Sequence, residues 1–317
     1  MPSLLITGAG STVGGLICRS ITQAAFKHIQ LVACDSNPRY SNLASHLANE
    51  YFQIPPYSDP DYASTVLDLC RSHQIDFILP HTEIEAQQLQ PLTRDQQTKA
   101  VDSLLGTART YSRFHTKSEA SDTAESIGIP TPKCFAADEL SETARYVIKP
   151  QLGFGSTGVE ILSGRELQSR CPDPRDYIIQ EHIDGPEFTV EVFSLNKRYA
   201  YIVRERRATR GGICTHGRFE DNYVLSEYVD RIISAYELPV LSNFQFMFRH
   251  STNEFVLTDA NLRVAAGTGL SLAAGWDGLG ALLSHVGSSR DPWTHFPQRH
   301  PTGDSFRSFH DSFFPDQ

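Results

Sequence analysis

Val147-Ile148-Lys149-Pro150-Gln151-Leu152-Gly153-Phe154-Gly155-Ser156-Thr157-Gly158-Val159 is the stretch on which the fold reading turns. An apolar strand delivers Lys149, Pro150 stops it, and a loop with Gly153, Gly155 and Gly158 follows at once. Loops of this composition let backbone N–H groups approach phosphate oxygens without obstruction by a Cβ. Lys149 adds positive charge where strand meets loop. The order differs from the Walker pattern, in which the lysine follows the glycines at the start of a helix. A glycine-rich hairpin that holds no ligand is the other reading, so the flanking sequence has to decide.

Upstream, residues 1–105 alternate apolar strands and amphipathic helices: strand Leu4–Thr7, turn Gly8–Gly15, helix Leu16–Phe26, strand Ile29–Asp35, helix Tyr62–His73 and strand Asp76–Pro80. This rhythm predicts a parallel sheet covered on both faces. Gly8-Ala9-Gly10-Ser11-Thr12-Val13-Gly14, with Asp35 closing the next strand, invites a dinucleotide reading. Its spacing is one residue longer than the strict fingerprint, and many parallel sheets need such a tight turn with no cofactor, so the structural reading is preferred. After a weakly patterned stretch, a helix from Lys117 to Ile127 ends at Gly128, with Pro130 and Pro132 beyond it.

Downstream, strands dominate. Tyr177–Ile183, Glu187–Ser194 and Tyr199–Glu205 are separated by Asp184-Gly185-Pro186 and Asn196-Lys197, both turn formers. The edge of Gln180-Glu181-His182-Ile183 offers backbone groups suited to an adenine edge, and Glu187 offers a carboxylate suited to ribose hydroxyls. An ordinary hairpin with solvent-facing carboxylates is the alternative. Residues two apart on a strand share a face, so Asn243 projects with Gln245, and Asp259 with Asn261. Oxygens from Gln245, Asp259 and Asn261 can then meet on one hard cation such as Mg²⁺, with Arg263 near a terminal phosphate. A polar strand face in water is the other reading. Arg204, Arg206, Arg207 and Arg210, read as lying around a turn and ending near His216, form a group suited to carboxylate or phosphate oxygens or a solvated charge run.

The bulk numbers narrow the classes. A chain of 317 residues that is 40% hydrophobic can bury a core and make two or three domains. A net charge of −9 argues against a general nucleic-acid surface. No apolar run approaches the ~18 residues needed to cross a bilayer, and the N-terminus shows no basic region or cleavage site of a signal peptide. Cysteines 18, 34, 70, 134, 171 and 214 form no C-x-x-C pair, which fits scattered reduced thiols in the cytoplasm rather than structural zinc.

Taken in order, these segments resemble the ATP-grasp superfamily, in particular a standalone ligase like the carbamoyl-phosphate synthase large-chain domain, over roughly residues 3–278. Gly8–Gly15 with Asp35-Ser36-Asn37-Pro38 is similar to the opening of its Rossmann-like domain, and Leu79-Pro80-His81-Thr82-Glu83-Ile84-Glu85 to its proline–threonine–glutamate turn. Gly128-Ile129-Pro130-Thr131-Pro132 is similar to its G-I-P-x-P segment, with Lys117 eleven positions before Gly128 (128 − 117). Two departures stand out: the family's E-[IMV]-N-P-R segment reads Asp259-Ala260-Asn261-Leu262-Arg263 here, with Asp for Glu and no proline.

The resemblance implies an α/β chain in which a Rossmann-like pre-ATP-grasp domain (1–106) precedes two α+β subdomains (107–183 and 184–287) that clasp a nucleotide, with a tail at 288–317. It implies ATP held by Lys117, Lys149, Gly153, Gly155, Ser156, Thr157, Gly158, Gln180, Glu181, His182, Ile183 and Glu187. It implies Mg²⁺, with Mn²⁺ as a substitute, on Gln245, Asp259 and Asn261. Lys149 and Arg263 would act on the transferred phosphoryl group, and Arg206 and Arg210 would hold a carboxylate. The implied activity is an ADP-forming carboxylate–amine ligase acting through an acyl phosphate on small-molecule carboxylate and amine substrates. It would be a cytoplasmic protein, as a homodimer, with neither nucleic acid nor membrane as partner. The rivals are an NAD(P)-dependent oxidoreductase built on residues 1–105 and a degenerate, ATP-binding member without catalysis.

Overall fold

A computed structural model describes residues 1–23, 25–93, 104–153, 157–170, 172–288 and 290–307. Gly155 and Ser156 of the expected phosphate loop lie outside the described residues. Along the first third, β1 (Ser3–Ile6), α1 (Thr12–Ile21), β2 (Gln30–Asp35), α2 (Ala44–Leu47), β3 (Glu50–Gln53), α3 (Tyr62–Ser72), β4 (Phe77–Leu79) and α4 (Glu83–Thr93) follow one another. The strands make a parallel sheet in the order β3-β2-β1-β4. β1 is buried along its whole length, as a strand covered on both faces must be. The glycine turn is shorter than its composition predicts. Ser11 accepts a hydrogen bond from Gly14 N at 3.0 Å and caps α1, so the helix starts at Thr12 rather than Leu16, and it ends at Ile21 rather than Phe26.

The remainder comprises α5 (Ala108–Arg113), α6 (Lys117–Ser126), β5 (Arg145–Pro150), β6 (Glu160–Ser163), α7 (Gly164–Arg170), β7 (Tyr177–Glu181), β8 (Glu187–Leu195), β9 (Arg198–Arg210), β10 (Ile213–Glu220), α8 (Tyr223–Ala235), β11 (Leu241–Arg249), β12 (Glu254–Asn261), α9 (Thr268–Ala273), α10 (Gly278–Gly287) and β13 (Gly303–Phe306). Strands β6-β5-β7 form a small antiparallel sheet, and β12-β11-β8-β9-β10-β13 a larger one. A capping box between Thr116 and Glu119 starts α6, and Gly128 at φ +74° turns the chain after it. Strand β9 runs well past the expected Glu205, and the turn falls at Gly211 and Gly212, with φ +55° and +74°. The segment after residue 288, without a period in sequence, docks through β13 against β10.

Two packing regions tie the parallel sheet and the helices to the large sheet. Leu4, Ile6 and Ile17 of the first domain share a core with Phe193, Leu241, Leu279 and Leu282, so the parallel sheet and the large antiparallel sheet are joined through α10. Phe114, Ala124, Val229 and Ile232 pack helices α5, α6 and α8 on the large sheet around Val190 and Phe244. The small sheet closes instead on its own core of Leu140, Tyr146, Ile148, Leu167 and Ile179. Among the described residues no helix is long and apolar enough to cross a membrane.

Candidate active site

The small sheet faces β11 and β12 of the large one across a cavity of 370 Å³, within the size range of small-molecule and cofactor sites. The expected residues Lys117, Lys149, Gly153, Thr157, Gln180, Glu181, His182, Ile183, Glu187, Gln245, Asp259, Asn261 and Arg263 all line it. Val147, Val159, Ile161 and Met247 supply apolar walls that the sequence reading did not single out. Gly158 is outside the lining. Its φ is +74°, and a Cβ there would sit 2.9 Å from Pro150 Cγ, so the turn itself requires glycine.

The cationic side arises from two elements. Lys149 ends β5, is only 7% exposed, and donates to the Thr258 carbonyl at 2.6 Å. Burial, reinforced by the neighbouring Lys117, brings its ammonium down to a pKa of about 8. Lys117 is the first residue of α6, and its backbone N–H donates to Gln151 O at 3.1 Å, which ties the helix start to the loop after β5. Its Nζ lies 2.8 Å from Asp259 Oδ1.

The oxygen-rich side is set by register. Gln245 pairs with Asp259 and Asn243 with Asn261 across β11 and β12, so these side chains meet on one face. Asp259 Oδ2 accepts from Asn261 Nδ2 at 3.3 Å, and Asn261 Oδ1 accepts from Arg263 Nη2 at 3.1 Å. Burial pushes the Asp259 carboxyl up, but Lys117, Lys149 and Arg263 outweigh it and hold it below the ordinary value. Among the described residues no group of three or more His, Cys, Asp or Glu side chains is placed to hold a metal. The donor set is therefore one carboxylate with two amide oxygens. It fits Mg²⁺, which completes its shell with phosphate and water.

The arginine run is reorganised relative to the sequence reading. The four residues lie on β9, not around a turn, and do not form one anion site. Arg204 is 1% exposed and bound to Glu191 at 2.6 Å. Arg206 holds Glu187 at 2.7 Å and the Gly212 carbonyl at 2.8 Å, so it reaches the cavity wall through Glu187. Burial raises the Glu187 carboxyl, and Arg206 opposes that rise. Arg207 pairs with Glu205 at 2.8 Å. Arg210, at the exposed end of the strand, is not among the lining residues. His216 pairs with Asp304 at 2.9 Å on the β13 side. Alternation puts Arg207 on the face opposite Arg204 and Arg206, and those two are each taken up by a glutamate of β8.

The glycine turn of the first domain is filled by the protein itself. Gly10 N–H, a donor a pyrophosphate would need, goes to Asp35 Oδ2 at 2.7 Å. Asp35 Oδ1 accepts from Asn37 N and Nδ2, each at 2.8 Å. A Cβ on Gly8 would lie 2.6 Å from His81 Cβ, and one on Gly14 2.4 Å from Ala9 O. Close packing thus accounts for the glycines. A residue behind the main site escaped the sequence reading in this role: Glu83, the first residue of α4, pairs with Arg263 Nε at 3.2 Å from the N-terminal domain. A pair 180 positions apart leaves no local signal.

Comparison with known proteins agrees with this architecture. Residues 4–104 match the model described as PylC-like, N-terminal domain. Residues 115–222 match ATP-grasp domain, and residues 173–301 match ATP-grasp in the biosynthetic pathway with Ter operon. No curated protein sequence matches the chain. Among solved structures, N5-carboxyaminoimidazole synthetase from Staphylococcus aureus superposes with a TM-score of 0.71 at 15% identity, covering 92% of this chain and 78% of that one. L-amino acid ligase from Bacillus licheniformis gives 0.71 at 13%, covering 93% and 76%. Pyruvate carboxylase from Rhizobium etli gives 0.71 at 13%, covering 94% of this chain but 30% of that much longer one. At these identities the likeness is one of fold.

Proposed function

The chain belongs to the ATP-grasp superfamily, with a PylC-like N-terminal domain ahead of its ATP-grasp domain, and from that premise we propose that it is an ADP-forming, ATP-dependent carboxylate–amine ligase. The observation that carries this reading is the convergence of Lys117, Lys149, Asp259, Asn261 and Arg263, from α6, β5 and β12 with its following loop, on one cavity.

In this reading the adenine lies against Gln180–Ile183, between Val147, Ile161 and Met247, and the ribose lies near Glu187. The phosphates extend toward Lys149, Lys117 and Arg263. Asp259, Asn261 and Gln245 would hold Mg²⁺, or Mn²⁺ in its place, which when bound supplies further neutralisation of phosphate charge. A substrate carboxylate oxygen attacks the γ-phosphorus, and the bond to ADP breaks. The acyl phosphate is then attacked by an amine at its carbonyl carbon, and phosphate leaves as the nitrogen gives up its proton. Such transfer relies on positioning and charge neutralisation more than on covalent protein chemistry, which suits a site with three cationic side chains. Arg206 acts by holding Glu187.

Calorimetric titration with Mg·ATP and, separately, NADPH tests the reading against the oxidoreductase rival. We expect Mg²⁺-dependent ATP binding that weakens by about tenfold or more in Lys149→Ala, given the ~1.5–3 kcal/mol of a charged hydrogen bond. NADPH binding without ATP binding would overturn it.

A further inference from the structure

The face of the large sheet that bears Asp259 and Asn261 extends beyond the nucleotide cavity. Register carries it from β12 across β11, β8, β9 and β10 to β13, where Ser305 stands opposite Gly217. Arg307 follows two residues later and shares that face; its backbone N–H continues the pairing to Thr215 O at 2.9 Å. Its side chain settles against the loop after β12, where Nη2 donates to Ala266 O at 2.5 Å. Arg263 and Ala266 of that loop both line the nucleotide cavity. Positions 263, 266 and 269 are partly exposed, whereas 264, 265, 267 and 268 are buried. An accessible strip therefore runs from the phosphate end of the cavity past Arg307, which is itself partly exposed. A Cβ on Gly269 would meet nothing within 4 Å, so the space over the end of the strip is open.

Charge singles out Arg307. Arg204, Arg206 and Arg263 are each matched by a glutamate: Glu191, Glu187 and Glu83. Arg307 has no such ion pair among the described residues, and its guanidinium rests on a carbonyl. Glu191 is near enough to favour its charge, but the oxygens of Glu191 are taken by Arg204, Thr268 and Ser271. Burial and, next, repulsion from Arg204 lower the Arg307 pKa. A partly buried cation without its own counter-ion is costly, and a guanidinium fork matches carboxylate and phosphate oxygens. We propose that Arg307 anchors an oxyanion, a carboxylate or a phosphate, carried by the substrate that is not the nucleotide, with that substrate lying along the strip toward Arg263. This deepens the ligase reading above and rests on it. It gives to Arg307 the role expected of Arg206 and Arg210, of which the first is held by Glu187 and the second does not line the cavity.

The test loads the full chain with Mg²⁺ and a non-hydrolysable ATP analogue, so that the cations of the nucleotide cavity are occupied. The loaded protein is then titrated by calorimetry with inorganic phosphate and, separately, with acetate. We expect one anion site in the wild type, weakened by about tenfold or more in Arg307→Ala, as loss of a charged hydrogen bond implies, and partly restored in Arg307→Lys. The tighter of the two anions identifies the group. A purely structural anchor would lower the unfolding temperature of Arg307→Ala and leave its anion affinity intact. Should the variants fail to fold, phenylglyoxal modification of the loaded wild type decides: Arg307 should be modified, and the tighter anion should shield it. Absence of an anion site in the loaded wild type, equal anion affinity in Arg307→Ala, or an Arg307 that phenylglyoxal does not reach overturns the inference. Failure of the wild type to bind the analogue sinks the ligase reading instead, and the same anion titrations without analogue then judge Arg307 alone.

Discussion

Lys149 is held in its charged form at a cost to the fold. Its ordinary pKa of 10.5 falls to about 8 in the folded chain, chiefly through burial. Between these values the unfolded chain binds the extra proton, so stability rises with pH there. Below about pH 8 the full penalty is present, equivalent to about 3 kcal/mol as an upper bound. Lys149→Met should therefore unfold at a higher temperature than the wild type at pH 7, with the gap closing by pH 10, while Mg·ATP binding is lost. A wild-type protein that is the more stable of the two at pH 7 contradicts this account. Lys117 presents the complementary case. Its ammonium occupies Asp259 Oδ1 at 2.8 Å, an oxygen the proposed divalent cation needs. Nucleotide phosphates would draw Lys117 away, so metal and nucleotide should bind together. Lys117→Met should bind Mn²⁺ without nucleotide about tenfold or more tightly than the wild type, from the strength of the lost charged hydrogen bond. The loss of the free Mn²⁺ paramagnetic signal measures this, and equal Mn²⁺ affinity in the two proteins would refute the latch.

Elements, rather than single contacts, place the loop that carries Arg263. The helix that follows it, α9, is fixed to β8 and β9 by a buried network. Arg204 Nη1 donates to Glu191 Oε1 at 2.6 Å and to Ser271 Oγ at 2.9 Å, and Thr268 Oγ1 donates to Glu191 Oε2 at 2.7 Å. A Cβ at Gly217 would sit 2.3 Å from Arg204 Cδ, and one at Gly267 2.1 Å from its Nη2, so two glycines make room for the guanidinium. Removing one member leaves a buried charge unpaired. Glu191→Ala should lose about 3–5 kcal/mol in urea unfolding, and a loss under 1 kcal/mol would show the network to be idle. Much of this level was legible in sequence. The period of two placed Asp259 and Asn261 on one face and Asn243 and Gln245 on another, and the hairpin brought the two faces together. Gly128, with Pro130 and Pro132 beyond it, bounded α6 at its C-terminal end, whereas the capping box that starts it was not read. Strand β10 was not legible, because Ile213–Glu220 has weak alternation and its edge partner β13 comes from residues 303–306. Such a strand is decided by pairing and not by propensity. The arginines misled for a related reason: the acids that neutralise Arg204 and Arg206 are Glu191 and Glu187 on the adjoining strand, invisible until the register is known.

At the scale of the whole molecule, burial is divided unequally across the cavity. The floor, β11 and β12, belongs to a sheet that shares one core with the N-terminal domain and another with α5, α6 and α8. The roof, β5 to β7, rests on a small core of its own, Leu140, Tyr146, Ile148, Leu167 and Ile179, with Phe135, Ala144 and Leu162 packed against it. Regions with few buried apolar contacts open at lower free energy than the rest of a protein. Across the cavity the roof is tied to the floor by Lys149 on the Thr258 carbonyl and by Arg249 on Glu181, a small number of polar links. Nucleotide inserted between roof and floor adds contacts to both, and a ligand that binds only the closed arrangement stabilises it by mass action. Backbone amides of β5 and β7 should therefore exchange with deuterium much faster than those of β8 and β11 in the free protein. Mg·ATP should slow the β5 and β7 amides by tenfold or more while leaving β8 nearly unchanged, since a ligand at 100 times its Kd contributes about 2.7 kcal/mol. Exchange measured by mass spectrometry resolves these strands. Uniform protection of both sheets without nucleotide would mean that roof and floor open as one unit, and that the cavity is a rigid pocket instead of a clasp.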